Sequence, residues 1–225
     1  MKISSSCTVV VLICLLVMQT GYCQNKKLDK ALVKADGYYK AGSFSKALKA
    51  LEKFKSSALK ISAQNNYMLA YYIREARINL AIGVVDGFEN SLTNALNTSK
   101  AVFGEANPGY ASTMLDVSDI YNEYGNYRIA RQYVEQAEAL LKNTEQLNEA
   151  FIGRIALIKA EAMIGQGFSN DALELLAGVE KYFASRAVEK ETKVENGQIK
   201  TVRLEDKEIY ARHNDYAQFK TLMGL

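Results

Sequence analysis

Apolar residues recur along this chain at the spacing of helix faces, and glycine interrupts them at a near-constant interval. Ala47, Leu48, Leu51 and Phe54 fall at i, i+1, i+4 and i+7, one stripe of an α-helix. The same periodicity predicts paired helices over 28–41 and 45–59, 65–82 and 84–102, 109–124 and 127–141, and 147–165 and 169–184. Between the members of each pair stands a glycine. Gly42, Gly83, Gly125 and Gly167 are separated by 41, 42 and 42 positions. A helix commonly ends in a left-handed residue that only glycine or asparagine adopts cheaply, so glycine is the expected hinge. Five residues beyond each one comes a packing position: Ala47, Phe88, Ala130 and Ala172. A small side chain there lets two helices cross closely. Phe88 breaks the rule and predicts a wider second pair, compensated by Ala76 and Ala81.

A fixed period of this length marks stacked supersecondary units that bury a shared core, so the fold class is all-α, built of antiparallel helix pairs. The single proline, Pro108, and glycines concentrated at segment ends agree with it. After 186 the pattern changes. Residues 187–204 contain Asn196-Gly197 between strand-favouring residues, a strong hairpin signal because both turn residues accept positive φ. A two-residue loop pairs Val194 with Ile199, Thr192 with Thr201 and Lys193 with Lys200. A last helical segment, 205–225, carries Ile209, Tyr216, Phe219 and Leu222 and reads as the first helix of a further, incomplete repeat.

These residues carry a family resemblance. Tyr121-Asn122-Glu123-Tyr124-Gly125-Asn126-Tyr127-Arg128-Ile129-Ala130, followed by Val134 and Ala137, resembles a tetratricopeptide repeat (TPR) core, and so does the stretch from Tyr38 to Ala47. The signature's Trp and its terminal Pro are missing. The 42-residue period, and the segment from Gly104 to Ala111 before a helix, resemble the longer subclass found in kinesin light chains. The likeness covers about 28–184, strong in units one, three and four and weak in two. It implies a right-handed superhelical solenoid of four TPR-like pairs over 24–186. It also implies a concave groove, lined by the first helices of the units, that takes extended peptides. Carried over by phase, Asp36, Tyr39 and Lys40 of unit one lie on that groove, with Arg77 of unit two. Unit three adds Asp119, Asn122 and Glu123, and unit four adds Arg154 and Glu161. The chain has no Lys/Asn–Asn–Lys/Arg set resembling the carboxylate clamp of chaperone-binding members. Motifs of this kind specify fold far better than function.

The first 23 residues read as a targeting segment. Lys2 precedes the apolar run Thr8–Met18, and Gly21 and Cys23 are small residues before a cut at Gln24. The run is short for a bilayer span, so no transmembrane segment is expected in the mature chain. Lipidation of Cys23 is the alternative, opposed by the bulky Tyr22. All three cysteines lie in this leader, so the exported domain is held by its core without disulfides. That places it in the periplasm of a two-membrane bacterium, or otherwise in secretion or at the cell surface. A net charge of +3 with no evident basic stripe predicts no nucleic-acid partner.

Catalysis finds little support. The one histidine, His213, sits among Glu208, Arg212, Asn214 and Asp215 on a polar face, which leaves no nucleophile–histidine system and no thiolate or multi-histidine zinc site. Asp116, Asp119 and Glu123 share one helix side at i, i+3 and i+7, a solvated or partner-facing set unless an apolar pocket surrounds them. Tyr67, Tyr71 and Tyr72 form either inter-helix packing or a stacking platform. Asn97-Thr98-Ser99 is a glycosylation sequon that matters only in a eukaryote. The expected function is thus an exported, non-enzymatic, cofactor-free scaffold binding a protein or peptide. The alternative is the sensory or regulatory N-terminal region of a longer signalling protein whose effector lies beyond Leu225. A glycan-binding or hydrolytic helical enzyme would need a deep carboxylate-lined pocket.

Overall fold

A computed structural model describes residues 26–186 as helices and turns, together with two strands at 190–195 and 198–203; side-chain placement is described over 26–183. The leader with Cys23, the Asn196-Gly197 turn, His213 and the 205–225 segment lie outside the described residues. The described chain divides into two compact units, 26–102 and 103 onward.

The first unit contains α1 (26–40), α2 (Phe44–Ala58), α3 (Asn66–Ala81) and α4 (Val85–Phe103). Leu28, Ala47, Leu51, Phe54, Met68 and Tyr71 belong to one buried cluster, so the i, i+4, i+7 stripe of α2 is the face that α1 and α3 cover. Phe88 on α4 is fully buried, as is Ala76. Ala81 is exposed, so the expected compensation by two alanines reduces to one. The second unit contains α5 (Pro108–Glu123), α6 (Tyr127–Asn143), α7 (Glu149–Gly165) and α8 (Ser169–Arg186). Its core centres on Leu115, Ile120, Ala130, Val134, Ala137 and Leu141, all fully buried.

Each repeat glycine does what the local chemistry requires. Gly125 sits at φ +82, its N–H donates to the Asn122 carbonyl at 2.9 Å, and the Asn126 N–H reaches back to Tyr121 at 2.9 Å. That pair of bonds satisfies carbonyls at the helix end that otherwise lack partners. The same two-bond pattern closes the turns at Gly42, Gly83 and Gly167. It recurs after α6 at Glu145, where a non-glycine holds φ +56. At the other helix ends asparagine dominates. Asn65, Asn126 and Asn148 accept from the N–H three residues on, and Asn107 precedes Pro108 at the first position of α5.

Close approach fixes the second unit's α6–α7 contact. A Cβ on Gly165 would lie 2.4 Å from the Tyr127 ring. The neighbouring Gln166 Nε2 donates to the Tyr127 carbonyl at 2.9 Å. Beyond α8, β1 (Lys190–Glu195) pairs antiparallel with β2 (Gln198–Arg203). The register sets Thr192 against Thr201, Lys193 against Lys200 and Val194 against Ile199, as a two-residue turn dictates.

Candidate interaction surface

In the first unit α1 and α3 lie side by side, joined by a bidentate pair. Arg74 Nε and Nη2 donate to the two Asp36 carboxylate oxygens at 2.7 and 2.9 Å, and Nη1 donates to the Ala70 carbonyl at 3.2 Å. Asp36 is thus turned toward its neighbouring helix, and its partner is Arg74. Sequence phase had brought forward Arg77, one turn away, which is half-buried on the same helix. Tyr39 is half-buried with its ring 5.7 Å from Phe44, packed at the α1–α2 turn, while Lys40 is exposed. The tyrosine cluster is packing. Tyr71 is buried edge-on to Tyr72 at 5.3 Å, and Tyr67 meets Phe54 edge-on at 6.0 Å. Of the sequon, Asn97 is exposed while Thr98 and Ser99 are buried.

In the second unit α5 and α7 show a related arrangement. Arg154 Nη2 donates to Asp116 Oδ1 at 2.6 Å and Nη1 to Ser112 Oγ at 3.2 Å. The separation from acid to arginine is the same as in Asp36–Arg74, at |i−j| of 38 in both. Sequence reasoning placed Arg154 on the surface but missed that Ser112 and Asp116 hold it. Asn122 is only 3 % exposed. Its Nδ2 donates to the Ile158 carbonyl at 2.9 Å and lies 3.4 Å from Glu161 Oε2, and its Oδ1 is buried without a hydrogen-bond partner. Asn122 is therefore a clamp between α5 and α7, with Glu161 at its edge.

The surroundings of Glu161 are acidic. Partial burial and the charge of Asp119 push its carboxyl above the ordinary value, and Glu123 adds to them; the bond from Asn122 pulls the other way. Across α7 the reverse holds for Glu138. Burial alone raises it, but Lys142 at 2.5 Å and Lys159 at 3.1 Å outweigh burial and hold it below the ordinary value. The five expected residues of this unit thus meet around α5 and α7 as a mixed surface with an acidic centre. No group of three or more His, Cys, Asp or Glu among the described residues is placed to hold a metal ion. No described helix is long and apolar enough to cross a membrane.

The sequence matches no family profile. Nor does any curated protein match it. Solved structures do share its fold. TPR-like repeats of a kinesin light chain from Podosopora anserina match at 20 % identity with a TM-score of 0.57, over 88 % of this chain and 87 % of that one. A single-substitution variant of the same protein matches equally. At that identity the likeness speaks for architecture, and it agrees with the glycine-closed helix pairs seen above. The chain shares the fold of tetratricopeptide-like repeats, an array of antiparallel helix pairs.

Proposed function

We propose that this chain is an exported, non-catalytic scaffold that holds an extended or helical segment of a partner protein against the faces of its first helices. The observation that carries the reading is the α5–α7 surface. Asp119, Glu123 and Glu161 gather their charge on one face, above a floor fixed by Asn122 and Arg154. A rigid helical floor with charged side chains at its rim suits recognition of a chain segment. A carboxyl raised by partial burial and by like charges is relieved when a cation or donor approaches it.

The test uses rim residues, because replacing Asn122 would break the bond to the Ile158 carbonyl and unseat α7. Affinity capture from the extracytoplasmic fraction compares the native chain with Glu123→Gln/Glu161→Gln. The expected result is a partner recovered by the native chain and reduced about tenfold for the double variant, with no loss of thermal stability. Equal recovery of that partner by both proteins would reject the surface.

A further inference from the structure

The first unit carries a surface that overall charge conceals. Between α1 and α2 lies a groove of about 290 Å³ whose floor is Ala31, Ala50 and the ring side of Tyr38. Its rim is Lys34, Lys46, Lys49 and Lys53. The three α2 lysines stand at i, i+3 and i+7, one stripe of the helix. No carboxylate lines the groove, and none of these four lysines is ion-paired among the described residues. The expectation that the chain has no basic stripe fails here. Like charges at such spacing repel, so an opposing charge laid along the stripe gains more than it would at an isolated lysine.

The second unit presents the counterpart. On the outer side of α8, Asp171, Glu174, Gly178 and Tyr182 follow one another at i, i+3, i+7 and i+11. Both acids are exposed and unpaired among the described residues, Tyr182 is 37 % exposed, and Leu173 beside them is 62 % exposed. Lys181 is the one cation between them. Gly178 has nothing within 4 Å of where a Cβ would stand. A glycine inside an exposed helix costs about 1 kcal/mol against alanine, and nothing among the described residues gains from it. Close approach by another helix does. The alanine floor of the lysine groove offers the same close approach from its side.

We infer that the α8 stripe of one copy of this chain docks in the α1–α2 lysine groove of a second copy. Asp171 and Glu174 meet the lysine rim, Gly178 crosses the alanine floor, and Leu173 and Tyr182 lose their exposed apolar surface. The two patches differ, so the contact is heterologous and propagates head to tail until a ring closes or ends remain.

Sedimentation velocity of the full chain, across about 1 to 200 μM, reads it directly. The average mass is expected to rise with concentration. It should fall back toward the monomer between about 0.05 and about 0.5 M sodium chloride, where the Debye length shrinks below the reach of the stripe. Lys46→Glu/Lys49→Glu and Asp171→Lys/Glu174→Lys should each weaken association at least about tenfold while helix content by circular dichroism stays unchanged. Mixing the two variants places an acidic groove opposite a basic α8, and should restore association between them. A native chain that stays monomeric throughout overturns the inference. So does association that ignores both charge reversals, or a mixture that remains monomeric.

Discussion

In the first unit the crossing of α2 and α3 is filled by Tyr71. Its hydroxyl lies within hydrogen-bond reach of both Glu52, at 2.9 Å, and Glu75, while Lys55 Nζ donates to it at 3.3 Å. Glu75 reaches on to Ser91 Oγ at 2.8 Å, which ties α4 into the same network. In the second unit the crossing of α5 and α6 is made by Ser118, whose hydroxyl donates to the Ala130 carbonyl at 2.6 Å between fully buried neighbours. One unit locks its helices with a ring and a chain of charges, the other with a short hydroxyl and a backbone oxygen. A single phenolic proton faces two carboxylates in the first, so burial and then the bonds to Glu75 and Glu52 push the Tyr71 hydroxyl well above its ordinary acidity range. The lesson is that a crossing of two helices in this fold tolerates either chemistry where the bridging hydroxyl finds its partners.

The packing position after the glycine offers the strongest way to break that comparison. Phe88 and Ala130 are equally buried in corresponding places, although one side chain is several times the other's size. Phe88→Ala should cost about 3–5 kcal/mol through the cavity it leaves. Ala130→Phe should cost about 3 kcal/mol by forcing α6 off α5 and stretching the Ser118 bond. Denaturant unfolding monitored by circular dichroism measures both. Losses below about 1 kcal/mol would mean that the two pairs can exchange packing, which the structure denies.

A smaller effect separates the two polar locks. Tyr71→Phe strips the shared hydroxyl from Glu52, Glu75 and Lys55 and is expected to cost about 1–3 kcal/mol, because Glu75 and Lys55 remain half-buried. Ser118→Ala removes a bond to a carbonyl inside α6 and should cost about 1 kcal/mol. The same unfolding curves rank them, and a reversed order would place the tighter lock in the second unit.

The smallest expected effect is one of pH and lies within the second unit. Glu138 is held below its ordinary value, so its contribution to stability is present above the unfolded value and is lost as pH falls through the folded one. Glu161 is raised, so its ionisation weakens the fold above the folded value, and that penalty disappears below the unfolded value near 4.5. At neutral pH Glu138→Gln should lower the unfolding free energy and Glu161→Gln should raise it slightly, each by under about 0.5 kcal/mol because solvent screens both groups. Melting curves across the acid range should show the Glu161→Gln gain vanish below the unfolded value and the Glu138→Gln deficit shrink through the folded one. Shifts of the same sign would contradict the opposed surroundings described here.

Much of the architecture was legible because its causes are local. Gly42, Gly83, Gly125 and Gly167 each terminate a helix through bonds spanning a few residues, so spacing alone located these four turns, though not the one at Glu145. The apolar stripe of α2 was likewise visible, since a helix face is a property of its own sequence. The surface residues were less legible. That Arg74, one helical turn from Arg77, is the arginine that meets Asp36 was not visible in the sequence, because one turn is decided by how far two helices slide past each other. Asn122 was placed on the surface by phase, yet it is buried because α7 comes close enough for the Ile158 carbonyl to take its amide. The lysine rim of the first unit disappeared into a near-neutral total, because net charge averages over the very separation that makes a patch.

By itself, then, the sequence determined where helices begin and stop, which face of each is apolar, and that the units repeat. These follow from backbone sterics and periodicity, which act over at most a few turns. Only the tertiary structure decided which acid meets which arginine, whether Asn122 faces solvent or a carbonyl, and that Lys34 joins the α2 lysines around one groove. Those outcomes depend on the relative slide and rotation of packed helices. A shift of one residue there, about 1.5 Å along the axis, is enough to exchange one partner for another.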